Sequence, residues 1–148
     1  MFKLNNKGFT LVELLAVIVV LGIIMVIAIP NVMTTMENAR IGTFKIYAQK
    51  VLTKAEEIYQ SDVLLGNIDA GGSTCYDFTD LGLASSGNYR GKVMVSINTV
   101  MEPTFTLYLS DNSYSVSGID YIDAGKIGAE GGTALDTPFA PGVNITCP

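Results

Sequence analysis

The chain has 148 residues, room for one globular domain with or without an appendage. It is 49% hydrophobic with a mean hydropathy of +0.38, only 16% charged, and carries a net charge of −5. The absence of His excludes Ser–His, Cys–His and His-ligated metal arrangements. From residue 61 onward ten acids stand against three bases (Arg90, Lys92 and Lys126) with no basic run, so no nucleic-acid partner is expected.

The first eight residues carry Lys3 and Lys7 and no acid. Residues 9–29 then read FTLVELLAVIVVLGIIMVIAI, with Thr10 and Glu13 the only polar side chains. As a helix this run would be about 31 Å long, close to the thickness of a bilayer core. Helices of soluble cores are rarely apolar all round, so a membrane segment is expected. No small-residue cleavage site follows Ile29, which argues against an ordinary secretory signal. Lys3 and Lys7 before the run place the N-terminus in the cytoplasm and the rest of the chain outside. Glu13 is the anomaly. A carboxylate is costly inside a bilayer, so it either snorkels to the interface or pairs with a cation of another chain.

The run Lys7-Gly8-Phe9-Thr10-Leu11-Val12-Glu13-Leu14 resembles the class III signal of type IV prepilins, and the likeness is close over about residues 1–31. It implies a leader, 1–8, removed by a prepilin peptidase between Gly8 and Phe9, with N-methylation of the new Phe9 amine. It implies that Glu13 neutralises the Phe9 amine of a neighbouring subunit during assembly. The partners implied are the peptidase, an inner-membrane assembly platform, the membrane before assembly, and further copies of the chain in a helical filament. The fate implied is a single-pass precursor that becomes part of a surface pilus serving adhesion, twitching motility or aggregation. Other roles that share this signal are a pseudopilin of a type II secretion system and a minor or competence pilin.

Beyond the span, Ile41, Phe44, Ala48, Val51, Ala55 and Ile58 recur at helical spacing and define one apolar face. The helix is therefore expected from about residue 10 to 60, with 9–30 as its membrane half and 31–60 as its amphipathic half. Gly22 and Pro30 interrupt it. A static kink is expected in the free subunit, and the resemblance implies loss of helix between them in a filament.

Residues 61–148 form the expected globular head. Its first part, 61–90, is rich in Gly, Ser, Asp and Asn and reads as an irregular connection with room for one short turn of helix. Three alternating runs follow, Lys92–Thr99, Thr104–Leu109 and Ser113–Ile119, separated by turn signals at Glu102-Pro103 and Asp111-Asn112. Tyr121–Pro148 shows little periodicity. The helix-then-sheet order predicts an α+β fold in which a long helix packs on an antiparallel sheet of three to four strands. This matches the pilin plan that the resemblance implies.

Cys75 and Cys147 are the only cysteines, and an even count in an exported domain suggests a disulfide. Its loop would enclose the whole sheet, larger than is usual for the resembling family, and free redox thiols are the alternative. No phosphate-binding Gly-rich loop is present. The glycines at 125, 128, 131 and 132 read as a loop, and Asp120, Asp123 and Glu130 as solvated acids. Asn144-Ile145-Thr146 fits a glycosylation sequon. No catalytic residue, metal or cofactor is expected.

Overall fold

The computed structural model describes residues 9–69, 72–83, 89–129 and 132–136. The leader with Gly8, Glu130, the Asn144 sequon and Cys147 lie outside these residues. The element order is α1 (Leu11–Leu65), β1 (Thr74–Asp77), β2 (Arg90–Ile97), β3 (Pro103–Ser110), β4 (Ser115–Ile119) and α2 (Tyr121–Gly125). The fold is α+β. By contacts the chain divides into two units, Met1–Ala39 and Arg40–Pro148.

In the first unit every described residue is exposed. Its part of α1 up to Ile29 is built almost wholly of Leu, Ile, Val, Ala and Met, which leave few polar side chains to compete for the helical backbone. The helix continues through both Gly22 and Pro30. Around Pro30 three polar side chains bond back to main-chain carbonyls. Asn31 Nδ2 donates to Ile27 O at 3.3 Å, Thr34 Oγ1 to Pro30 O at 3.1 Å and Thr35 Oγ1 to Asn31 O at 2.9 Å. Pro30 has no N–H to give the Val26 carbonyl one turn before it; the three side-chain bonds go instead to neighbouring carbonyls of the continuous helix.

In the second unit the rest of α1 lies on a four-stranded antiparallel sheet of order β1-β2-β3-β4. Phe44, Ala48, Val51, Leu52, Ala55 and Tyr59 are the buried face of the helix. The expected stripe is thus present, but Leu52 and Tyr59 join it while Ile41 and Ile58 are only partly buried. Across the sheet, Val93 and Val95 of β2, Leu107 and Leu109 of β3 and Val116 of β4 face the same core. Alternation at period two puts these side chains on one side, and the register Val93↔Leu107 and Leu109↔Val116 aligns them across strands. The register shifts between Leu107 and Tyr108, opposite the positive-φ Gly118, as a bulge in the β3–β4 pair.

Three local expectations are corrected. Helix α1 ends at Leu65, beyond residue 60, because Tyr59 is buried against the sheet and Val63 packs on the core, which extends its reason to stay helical. The stretch 61–90 is not wholly irregular: Thr74–Asp77 is a strand, pairing Tyr76 with Val93. The stretch after Ile119 opens with α2, capped by Asp120, whose Oδ1 accepts from Asp123 N at 2.7 Å.

Candidate functional site

The start of α1 is the part of the molecule where charged and polar chemistry meets the apolar run. Thr10 precedes the first helical residue, Leu11, and Glu13 lies three positions after it. Thr10 N and Thr10 Oγ1 both donate to Glu13 Oε2, at 2.9 and 2.8 Å. Glu13 N reaches Thr10 Oγ1 at 3.3 Å, and the Thr10 carbonyl accepts from Glu13 N and Leu14 N. This is a capping box: the threonine side chain serves a helix amide with no partner in the helix, and the glutamate serves the cap's own N–H. The positive end of the helix dipole favours the carboxylate at this position.

The box changes how Glu13 is understood. The T-x-x-E spacing of Thr10 and Glu13 at the head of the apolar run is the sequence signal for this box. Both cap bonds end on one carboxylate oxygen. The other, Oε1, accepts no hydrogen bond from the described residues and faces open surroundings. Phe9 is 83% exposed and sits one turn before Glu13. The geometry therefore leaves a half-satisfied carboxylate and an uncovered aromatic side chain at the tip of an uncovered apolar helix.

The other expected site residues fall elsewhere. A Cβ added at Gly22 would meet nothing within 4 Å, and Pro30 lies eight positions on in the same exposed helix. Cys75 is half-buried in β1, paired across the ladder with Met94, and no described cysteine is free. Among the described residues no group of three or more His, Cys, Asp or Glu is arranged to hold a metal. Asp123 instead accepts Thr133 Oγ1 at its carbonyl, 2.6 Å away, and pairs its carboxylate with Lys126 at 3.5 Å.

Comparison with known families bears on this end of the chain. Residues 3–29 match the family described as the prokaryotic N-terminal methylation motif. The chain carries that motif. It is the class III signal of type IV pilins, it spans the expected Gly8–Phe9 junction and Glu13, and it continues through the apolar half of α1. No curated protein and no solved structure matches the chain. Helix α1 is also long and apolar enough to cross a membrane. The motif supports a type IV pilin- or pseudopilin-like protein.

Proposed function

We propose that this chain is the precursor of a structural subunit, the major pilin, of a type IV pilus. The observation that carries the reading is the methylation motif set on a helix whose every described residue up to Ala39 is exposed. So large an apolar surface needs a non-aqueous partner. Full burial of each Leu, Ile or Val side chain is worth about 1.5–3 kcal/mol relative to water. Lipid supplies that partner first, with the N-terminus in the cytoplasm and the head outside. Other copies of the same helix supply it later, after transfer through an inner-membrane assembly platform to the cell surface.

Hydrolysis of the Gly8–Phe9 bond leaves a carboxylate on Gly8 and an ammonium on Phe9, which is then methylated. Moving from lipid to a filament core exchanges one apolar environment for another, so the hydrophobic term gives little direction to the transfer. The charges supply the discrimination. Glu13 Oε1 accepts the Phe9 ammonium of the neighbouring subunit while Oε2 stays capped by Thr10. A carboxylate buried without its cation is strongly disfavoured, so a misplaced subunit is rejected and the pair acts as a register device. In the assembled state the segment Gly22–Pro30 gives up helix. In the head, Cys75 pairs with Cys147 and ties β1 to the chain's last residues.

Two measurements test this. Mass spectrometry of filaments sheared from cells is expected to find, as the dominant protein, this chain beginning at methylated Phe9. Glu13→Val is expected to insert in the membrane at wild-type level yet to be depleted from filaments when wild-type subunits are co-expressed. Equal incorporation of Glu13→Val would rule out the register role, and trace recovery of the Phe9 chain would rule out the major-subunit role.

A further inference from the structure

Tyr47 of α1 and Tyr89, which immediately precedes β2, lie face to face. Their ring centroids are 4.0 Å apart and their planes differ by 14°. The other ring contacts among the described residues are tilted or edge-on, with planes 43–85° apart and centroids separated by 5.8–6.2 Å. All seven tyrosines of the chain are described, and among the described residues no other two are in ring contact.

Two phenylalanines pin the pair. Phe78 stands edge-on to Tyr47 at 6.1 Å, and Phe44 lies against Tyr89 at 6.2 Å. Both tyrosines are half-buried, so small solutes reach them while the rings stay fixed. The chain has no Trp, which leaves tyrosine as its most easily oxidised ring. Burial keeps both phenols protonated to high pH, so the loss of an electron from either ring carries a proton with it. The Asp111 carboxylate, whose charge acts on the Tyr89 phenol, is an acceptor at hand.

We propose that Tyr47 and Tyr89 are an oxidative cross-link site, joined as dityrosine by hydrogen peroxide acting through a haem-type peroxidase. Each phenol gives up one electron and its hydroxyl proton, leaving a phenoxyl radical with spin at the ring carbons ortho to oxygen. One ortho carbon of each ring joins the other. Each of these carbons then passes its hydrogen to its own ring oxygen, which restores both phenols. One C–C bond forms, two C–H bonds break, and two electrons and two protons leave in all. The peroxide takes them and becomes two molecules of water. A near-parallel stack suits this reaction, because it holds the spin-bearing faces against each other. Ring centres in a joined pair stay about as far apart as in the stack, so coupling turns the rings in place and leaves α1 and β2 where they are. The product fastens α1 to the entry of β2 and closes the chain between residues 47 and 89, a span that contains β1. Such a closure removes conformations from the unfolded chain, as a disulfide does. It needs neither a second copy nor a filament.

The test uses the full chain in detergent, treated with a peroxidase and hydrogen peroxide, then digested and mapped by mass spectrometry. The expected product, in the monomeric fraction, is the Tyr47 peptide joined to the Tyr89 peptide and two hydrogens lighter than their sum. Loss of unmodified Tyr121, 55% exposed, reports that the oxidant acted. Tyr47→Phe and Tyr89→Phe keep the ring and are each expected to abolish the linked peptide, with folding read by circular dichroism. The linked wild-type chain is expected to show a higher urea midpoint than the untreated chain, and oxidised Tyr47→Phe is not. No linked peptide once Tyr121 is consumed, or a link that survives in Tyr47→Phe, overturns the site. A linked chain whose urea midpoint does not rise overturns its role as a lock between α1 and β2.

Discussion

Tyr76 and Asp62 join β1 to the last turns of α1 through a phenol–carboxylate hydrogen bond of 2.9 Å, and Asn67 Nδ2 holds the other Asp62 oxygen at 3.0 Å. Burial, followed by the bond to Asp62, pushes the Tyr76 phenol well above its ordinary range. Burial also raises Tyr47 and Tyr89, whose rings stack at 4.0 Å. In the unfolded chain these phenols ionise near pH 10, roughly the ordinary tyrosine value. In the folded head they hold their protons to higher pH. Folding is therefore favoured fully below the unfolded value, and the advantage is lost as pH rises through the folded ones. The urea midpoint of the protein in detergent is expected to be flat from pH 7 to about 9.5 and to fall steeply above pH 10. Tyr76→Phe is expected to cost about 1 kcal/mol at neutral pH, since it removes the donor to Asp62. It should also make the alkaline fall shallower, which a urea series at both pH values would measure. At this scale the sequence was only half readable. Glu13 stands out because a charge in an apolar run is anomalous and Thr10 through its T-x-x-E spacing, whereas Asp62 and Tyr76 matter through partners that the sequence pattern does not reveal.

The elements show where sequence pattern carries and where it stops. The β2–β3 hairpin was evident because strict alternation marks both strands and the turn between them is short. Its detail was not. Asn98 Oδ1 accepts from Val100 N at 3.0 Å and Glu102 N at 2.8 Å, and Asn98 N and O bond Glu102 and Met101 across the turn. The side chain thus does the work of a further backbone acceptor. Met101, 76% exposed, occupies the left-handed region at φ 65, which disfavours a side chain by about 1–2 kcal/mol. Met101→Gly is expected to raise the urea midpoint and Asn98→Ala to lower it, both without altering the helical circular dichroism of α1. Strand β1 escaped detection for a physical reason. It has four residues, TCYD, with one buried side chain, and it owes its extended form to the ladder with β2 more than to its own pattern. Helix α2 escaped for a similar one: five residues are too few to show a helical period, although Asp120 marks the cap. Most of helix α1 is legible because two different patterns, an all-round apolar run and a one-sided stripe, follow each other; only its last turn, to Leu65, lies beyond them.

At the scale of the whole molecule the two units differ in what they need. Among the described residues every buried core residue, from Phe44 to Ile127, belongs to the second unit. The first unit contributes exposed apolar surface and the capped Glu13. Removing it subtracts no described core side chain, because the described core begins at Phe44. A chain starting at Arg40 is therefore expected to be soluble without detergent and to unfold in one cooperative transition. Its denaturant slope should be set by the core of α1 and β1–β4. The new helix start would expose amides that preceding turns now satisfy, so fraying of the first turn is expected to lower the midpoint slightly while the slope stays set by the same buried surface. Analytical ultracentrifugation with a urea titration checks both parts. Aggregation of the shortened chain, or loss of cooperativity, would mean that the apolar half of α1 stabilises the head. A monomer with a sharp transition would show that the second unit holds its fold without the first.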